Sequence, residues 1–108
     1  MNNLYLSPQA QEDLFQIKAY IENDLENSAA ALSTVGKITK TIGRLREHAF
    51  IGSPLSVKIN VSSDYRYLIS GNYMIFYRVL GDDVFVDRIL YGRRDYIRIL
   101  FADENEDE

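Results

Sequence analysis

The side chains best suited to chemistry are concentrated in residues 65–98, YRYLISGNYMIFYRVLGDDVFVDRILYGRRDYIR. This stretch contains six arginines, Arg66, Arg78, Arg88, Arg93, Arg94 and Arg98. Arginines beside aromatic rings can bind RNA phosphates while the rings stack on bases. They can also stabilise the negative charge that develops during phosphodiester cleavage, without any histidine.

A structural role for the same arginines is the alternative, and composition alone favours it. Their aliphatic stems can cover the apolar edges of a sheet while the guanidinium groups stay in water. Aspartates are available nearby as ion-pair partners: Asp64, Asp87 and Asp95.

Other kinds of reactive site find little support in the sequence. The chain has no cysteine, and its one histidine, His48, lies at the end of a predicted helix, where a favourable dipole contact is its ordinary role. Gly71 and Gly92 do not have the spacing of a phosphate-binding loop. No carboxylates have the spacing of metal ligands. The sequence therefore predicts no metal and no cofactor.

The arginine-bearing stretch reads as three antiparallel strands over residues 65–70, 73–80 and 84–91. These segments are rich in Tyr, Ile, Val and Phe, the residues that suit a pleated surface. Gly71-Asn72 and Gly81-Asp82-Asp83 separate them, and both are suited to hairpin turns. We expect a three-stranded meander.

Side chains alternate between the two faces of a strand, so the predicted faces can be assigned. Met74, Phe76 and Arg78 share one face of the middle strand. In the third strand one face is assigned to Val84, Val86, Arg88 and Leu90. Neither face of the sheet is purely polar. Helices are therefore expected on one face and a groove or a partner on the other.

Two helices precede the meander. Leu4-Tyr5-Leu6 reads as a short strand, and Ser7-Pro8 is a helix start signal. Apolar residues at helical spacing predict a first helix over residues 8–25 and a second over 29–47. The corner between them is short enough to require an antiparallel helical hairpin. Residues 50–63 read as a loop with an extended piece near 57–61.

The predicted architecture is therefore α+β: an N-terminal strand, a helical hairpin and a three-stranded antiparallel meander. With 108 residues we expect one domain over residues 1–101, followed by an acidic, disordered tail at 102–108. The sequence shows no membrane span and no secretory signal. Together with the absence of cysteine this favours the cytoplasm.

The net charge of −4 is distributed unevenly. Without the tail the chain is nearly neutral, with 12 basic and 11 acidic residues. Lys37, Lys40 and Arg44 form a basic line on the second helix, which we interpret as a solvated face paired with the acidic first helix. No face is basic enough to bind nucleic acid by charge alone.

The order of elements and three local motifs resemble the RelE/ParE family of type II toxin–antitoxin toxins. The first motif is SPQAQEDL, residues 7–14, at the strand-to-helix transition. The second comprises YRYL, residues 65–68, and GNYMIFYRV, residues 71–79, in the central hairpin. The third is RILYGRRDY, residues 88–96, at the closing strand. The resemblance covers nearly all of residues 1–98.

The RelE-like branch of this family cleaves mRNA in the ribosomal A site. The resemblance assigns Arg94 to the position of one catalytic arginine, with Arg66 and Tyr96 as the other candidates for a catalytic role. Met74 occupies the position of a second catalytic arginine, and Tyr67 stands where a basic residue is expected. Since Met74 cannot stabilise an anion, a RelE-type active site would be incomplete.

The ParE-like branch has a longer helical hairpin, lacks that catalytic set and inhibits DNA gyrase. The long hairpin predicted here favours this branch, which implies growth inhibition and plasmid stabilisation. The alternatives are a RelE-like ribosome-dependent mRNA endoribonuclease and a non-toxic interaction module on the same fold.

Either toxin branch implies a cognate antitoxin in a toxin–antitoxin hetero-oligomer. The C-terminal segment of such antitoxins wraps the toxin as a helix in a groove plus an added strand. We expect antitoxin or target binding at the apolar, arginine-bearing face and its neighbours: Met74, Phe76, Arg78, Arg88, Arg93 and Arg94. The acidic tail is a possible competitor for these arginines.

Overall fold

A five-stranded mixed sheet forms the centre of the computed structural model, which describes residues 1–105. The strands are β1 (Asn3–Leu6), β2 (Ser53–Pro54), β3 (Arg66–Ser70), β4 (Tyr73–Leu80) and β5 (Asp83–Tyr91), in the order β1-β5-β4-β3-β2. β1 runs parallel to β5, and the other neighbours are antiparallel. The predicted α+β fold is confirmed, and its sheet is extended on one side by β1 and on the other by β2.

The meander formed by β3, β4 and β5 has the predicted turns. Gly71 and Gly81 have φ angles of +58° and +60°, a conformation that glycine adopts without steric cost. The register shifts between Phe76 and Tyr77, which pair with Arg88 and Val86, so Asp87 is the extra residue of a β-bulge.

The bulge changes which residues of β5 share a face. Val84 and Val86 share a face, as predicted, and pack against the helical hairpin. Ile89 lies on the same face, whereas Leu90 packs on the opposite one. The assignment of Arg88 and Leu90 to the face of Val84 and Val86 was wrong, because the inserted Asp87 reverses the alternation beyond it.

Both hairpin helices begin after a side-chain cap, and the start of the first at Ser7-Pro8 is the predicted one. Helix α1 (Pro8–Ala19) begins after Ser7, whose Oγ accepts a hydrogen bond from the Ala10 N–H at 2.9 Å. It continues into a π-helical turn, Tyr20–Asp24. Helix α2 (Ser28–Gly43) begins after Asn27, whose side chain accepts from the Ala30 N–H, and it ends in a 3₁₀ turn, Arg44–Arg46. The two helices form the expected hairpin.

The principal hydrophobic cluster lies between this hairpin and one face of the sheet. Its fully buried members include Ala10, Ala31, Ile38, Leu45, Ile75, Tyr77, Val84 and Val86. A second cluster lies on the opposite face, where Leu55, Met74, Phe76 and Leu90 are buried. The sheet is therefore covered over part of both faces, which explains why neither face of β4 is polar.

The second cluster is covered by two short helices, one between β2 and β3 and one after β5. Helix α3 (Leu55–Ile59) contributes Leu55, and helix α4 (Tyr96–Asn105) contributes Tyr96, Ile99, Leu100 and Phe101. The extended piece predicted near residues 57–61 was wrong, since the backbone there is helical up to Ile59 and turns at Asn60 with φ +54°. Burial of Leu55 stabilises the helix, although the β-branched Val57 and Ile59 favour a strand.

Helix α4 settles the conformation after β5, which the sequence left open between helix and strand. Its backbone departs from helical geometry at Phe101, where φ is −118° and ψ is 16°. Residues 102–105 of the predicted disordered tail form the end of α4, and residues 106–108 lie outside the described residues, so disorder there stays a prediction. No helix in the described range is both long and apolar enough to cross a membrane.

Candidate functional site

A groove of about 1000 Å³ lies between α1, the π-helical turn and the C-terminal end of β5. Apolar side chains line its depth, among them Ile17, Ile21 and Ile89. Polar groups also line the groove, among them the carboxylate of Asp13 and the guanidinium of Arg88. An apolar groove with a few placed polar groups is a typical site for a ligand or a partner helix.

Asp13 and Arg88 form an internal ion pair at one side of this groove. Two guanidinium nitrogens of Arg88 donate to the two carboxylate oxygens of Asp13, each at 2.9 Å. The Ile89 N–H donates to the same carboxylate at 2.8 Å. The bond to Asp13 raises the pKa of Arg88. Arg88 is therefore committed to a contact within the chain and joins α1 to the edge of β5.

Three tyrosines line the groove: Tyr20, Tyr73 and Tyr91. The rings of Tyr73 and Tyr91 meet edge to face, with centroids 5.9 Å apart. Burial raises the pKa of Tyr73, and the neighbouring phenols of Tyr91 and Tyr20 add to the effect. Tyr73 thus presents a neutral hydroxyl at physiological pH.

The turn after β5 places Arg94 at the end of the groove. The Gly92 N–H donates to the Asn72 carbonyl at 2.8 Å, and the Arg94 N–H donates to the Tyr91 carbonyl at 2.9 Å. Arg93 and Arg94 are both exposed, and Arg94 lines the groove. Arg94 therefore offers a positive charge to a bound partner.

Arg66 has a structural environment at the other end of the sheet. Its guanidinium donates to the Gly52 carbonyl at 3.1 and 2.8 Å and to the Phe50 carbonyl at 3.2 Å, and it lies 5.2 Å from the Phe50 ring centre. The hydroxyl of Tyr77 accepts a hydrogen bond from the Gly52 N–H at 2.9 Å. Together these contacts hold the loop between α2 and β2.

The three residues predicted for an RNA-cleaving site are not brought together. Arg66 pairs with Tyr77 in the sheet, whereas Arg94 follows Tyr91, which pairs with Tyr73. Four residues of β4 separate these levels, which is about 13 Å along the strand. Tyr96 packs against Phe76 on the opposite face from Tyr77, with ring centres 5.1 Å apart.

The predicted binding residues are also distributed over several environments. Met74 and Phe76 are buried beneath α4, with 5% and 0% exposure. Arg78 is exposed, forms a 2.9 Å ion pair with Asp87 and lies 5.5 Å from the Tyr65 ring centre. Burial, with the charge of Asp87, raises the pKa of Tyr65 to about 12. Of the six predicted residues, Arg88 and Arg94 line the groove.

The predicted pairing of the basic line of α2 with the acids of the first helix is not formed. The ion pairs among the described residues are Lys18–Glu22, Arg78–Asp87 and Arg88–Asp13. The acids of α1 thus have partners on α1 itself or on β5, and Lys37, Lys40 and Arg44 are exposed to solvent. Among the side chains that the structure describes, residues 1–101, no group of three or more is placed to hold a metal ion.

The groove-lining Asp13 and the three tyrosines were missed at the level of sequence. Asp13 precedes the buried Ile17 by one helical turn and so lies on the apolar stripe of α1. An acid on such a stripe indicates a buried partner. The tyrosines carried no comparable signal.

Comparison with known proteins identifies the class to which this fold belongs. Residues 4–96 match the family described as the ParE toxin of the type II toxin-antitoxin system, parDE. The chain therefore belongs to the ParE toxin family.

A solved structure described as the chromosomal ParDE TA system from P. aeruginosa contains a similar chain. The TM-score is 0.69 at 23% sequence identity, over 82% of this chain and 94% of that one. At this identity the similarity shows the shared fold. A search among curated proteins found no match.

Proposed function

We propose that this chain is the toxin of a type II toxin–antitoxin module and that it inhibits DNA gyrase. Its membership of the ParE toxin family carries this proposal. The separation of Arg66, Arg94 and Tyr96 supports it, since an RNA-cleaving site needs its groups around one phosphate. Inhibition by binding requires no such assembly.

A cognate antitoxin neutralises the toxin by occupying the groove between α1 and β5. The apolar floor of the groove suits a helix or an extended segment. Its three tyrosines combine apolar rings with hydroxyl groups, and Arg94 at one end can bind a carboxylate. The two proteins form a hetero-oligomer in the cytoplasm. Met74 and Phe76 can take part only if α4 leaves the second cluster.

Induced expression in a bacterial host tests the target. We expect growth arrest, with plasmid DNA relaxed or cleaved and mRNA intact, and recovery when the antitoxin is co-expressed. Cleaved mRNA with normal plasmid topology would instead establish the RelE-like endoribonuclease. Unaffected growth would favour a non-toxic interaction module on the same fold.

Two substitutions test the groove. The double variant Tyr20→Ala with Arg94→Gln removes an exposed ring and the end charge without touching the hydrophobic clusters. We expect antitoxin affinity to fall by at least about tenfold, or about 1.4 kcal/mol, in titration calorimetry. Arg98→Gln, at an exposed position of α4, is the matched control and leaves the affinity unchanged. Equal affinity for the double variant and the control would exclude the groove.

A further inference from the structure

A basic stripe runs along the solvent-facing side of α2 and into the 3₁₀ turn that follows it. It consists of Lys37 and Lys40 on α2 and Arg44, the first residue of the turn. At 3.6 residues per turn these positions lie within an arc of about 60°. Ile38 and Ile42, which point into the principal cluster, lie on the other side of the helix. The stripe therefore faces solvent as a unit.

No carboxylate compensates the charge of the stripe within its helix. The sequence of α2, SAAALSTVGKITKTIG, contains neither Asp nor Glu. In the part of the chain that the structure describes, no ion pair reaches the stripe: the pairs are Lys18–Glu22, Asp13–Arg88 and Arg78–Asp87, and Glu12 accepts a hydrogen bond from Gln16. A protein with a net charge of −4 thus carries an exposed basic surface on α2.

We propose that this stripe contacts the phosphate backbone of duplex DNA while another surface of the toxin holds gyrase. The three cations span about 10 Å of helix axis at 1.5 Å per residue. One strand of B-DNA places a phosphate about every 3.4 Å along its axis, so the stripe spans about three phosphate intervals, and each of its three cations can meet a phosphate within that length. The inference rests on the proposed gyrase target for its biological setting.

The composition of the stripe favours phosphate over an acidic protein surface. Two of its three cations are lysines, which are depleted in protein–protein interfaces and are regular phosphate contacts in DNA complexes. Ser33, one turn before Lys37 on the same side of the helix, is exposed and adds a hydroxyl donor. The stripe itself contains no aromatic or aliphatic anchor of the kind that binds a protein partner.

Three contacts of this kind add to an interaction and do not create a tight one alone. Each neutralised phosphate contributes about −0.9 to the slope of log affinity against log salt concentration. The affinity of the chain for DNA by itself is therefore expected to be weak and to depend steeply on salt. In the complex with gyrase, which holds DNA in place, the same contacts strengthen binding.

The test compares two triple variants that lose the same charge. The stripe variant is Lys37→Gln, Lys40→Gln, Arg44→Gln, and the control is Lys18→Gln, Lys58→Gln, Arg98→Gln, all at exposed or partly exposed positions. Glutamine has nearly the helix propensity of lysine and arginine, so both variants should fold, which urea unfolding verifies. Each is titrated with a short DNA duplex between about 50 and 200 mM salt.

We expect the slope of log affinity against log salt concentration to be less negative by about 2 to 3 in the stripe variant. In the control the slope should stay close to that of wild type. Gyrase bound to DNA should lose affinity for the stripe variant, whereas gyrase without DNA should bind it as it binds wild type. The inference is overturned if the stripe variant and wild type bind duplex with the same slope, or if wild type binds no duplex at the lowest salt.

Two further outcomes separate this inference from the proposed target. If the stripe variant loses affinity for gyrase without DNA and keeps its duplex slope, the stripe binds an acidic protein surface and the inference is wrong. If wild type fails to inhibit gyrase while its duplex binding depends on the stripe, the proposed target is wrong and the DNA contact stands.

Discussion

The ion pair between Asp13 and Arg88 illustrates how single residues join distant parts of this chain. The two residues are 75 positions apart, and their bidentate contact is supplemented by the Ile89 N–H. The carboxylate is buried, whereas the Arg88 side chain keeps 23% exposure. A carboxylate with three donors is well compensated, so its value to the fold lies in the cost of removing one partner.

Asp13→Asn should destabilise the protein. The amide leaves the guanidinium of Arg88 without a counter-charge, at a cost of about 2–4 kcal/mol, which is reduced by the partial exposure of Arg88. Chemical denaturation measures the difference. Glu22→Gln, which breaks the exposed pair with Lys18, serves as the control and should cost about 0.5 kcal/mol or less. Equal costs for both variants would contradict an internal role for Asp13.

Tyr65 should make stability depend on alkaline pH. Because the pKa of Tyr65 is raised from 10.0 to about 12, the folded state retains the phenolic proton that the unfolded chain loses above pH 10. Stability therefore falls as the pH rises from 10 to 12. Tyr65 is only about half buried, so screening by solvent limits the loss to about 1–2 kcal/mol.

The matched variant for this effect is Tyr65→Phe, which cannot ionise. Its free energy of unfolding, compared with that of wild type at pH 9 and near pH 11.5, should lack the Tyr65 contribution to the alkaline loss. A parallel decline in both proteins would assign the loss to other groups.

At the scale of elements, the loop between α2 and β2 is held by two side chains of the sheet. Arg66 binds its carbonyl groups, and the Tyr77 hydroxyl accepts from the buried Gly52 N–H. A Cβ at position 52 would lie 2.6 Å from the Tyr67 carbonyl and from the Tyr77 hydroxyl, so only glycine fits there. The loop conformation is thus specified by residues of β3 and β4.

Tyr77→Phe should loosen this loop. The variant keeps the ring in the principal cluster but leaves the Gly52 N–H buried without an acceptor, at a cost of about 1–3 kcal/mol. Thermal or urea unfolding detects the change. Tyr5→Phe removes a hydroxyl from an exposed tyrosine and should alter stability by less than about 0.5 kcal/mol. No difference between the two would show that the Gly52 N–H finds another partner.

Local signals in the sequence were sufficient for the hairpin helices and the meander. Turn residues at Gly71 and Gly81, and caps at Ser7 and Asn27, act within a few positions of themselves. The bulge at Asp87, the helix beginning at Leu55 and the capture of Arg66 by the loop depend on contacts across the fold. The hydrophobic periodicities of strands, 2 residues, and of helices, 3.6 residues, contain no information on such contacts.

The candidate site was predicted less well than the fold for the same reason. Arg88 and Arg94 were placed among the binding residues and do line the groove. Met74 and Phe76 were expected on an uncovered face, but α4 covers them. Whether a terminal segment folds back on its own sheet depends on competing partners, about which the sequence pattern says nothing.

For the whole molecule, the two hydrophobic clusters differ in how firmly they are closed. The principal cluster is formed by both hairpin helices and the sheet, whereas the second is closed by short α3 and by the terminal α4 with its departure at Phe101. Terminal helices with little buried area open locally at low free-energy cost.

Hydrogen exchange should resolve this difference. We expect amides of β4 and of β5 up to Leu90 to exchange only through global unfolding, and amides of α4 to exchange faster by at least about 100-fold, or about 2.7 kcal/mol. Exchange at one common rate would mean that α4 opens only on unfolding. That result would exclude Met74 and Phe76 as an antitoxin site in the folded toxin.

The parallel pairing of β1 with β5 has a consequence for synthesis. Asn3 lies beside Asp83, 80 residues later, so β1 leaves the ribosome long before its neighbour has been translated. At about 5–20 residues per second the interval is roughly 4–16 s. The walls of the groove, α1 and β5, come together only after that delay. A nascent toxin therefore has neither its finished sheet nor its groove, and a partner that recognises the groove binds the folded protein only.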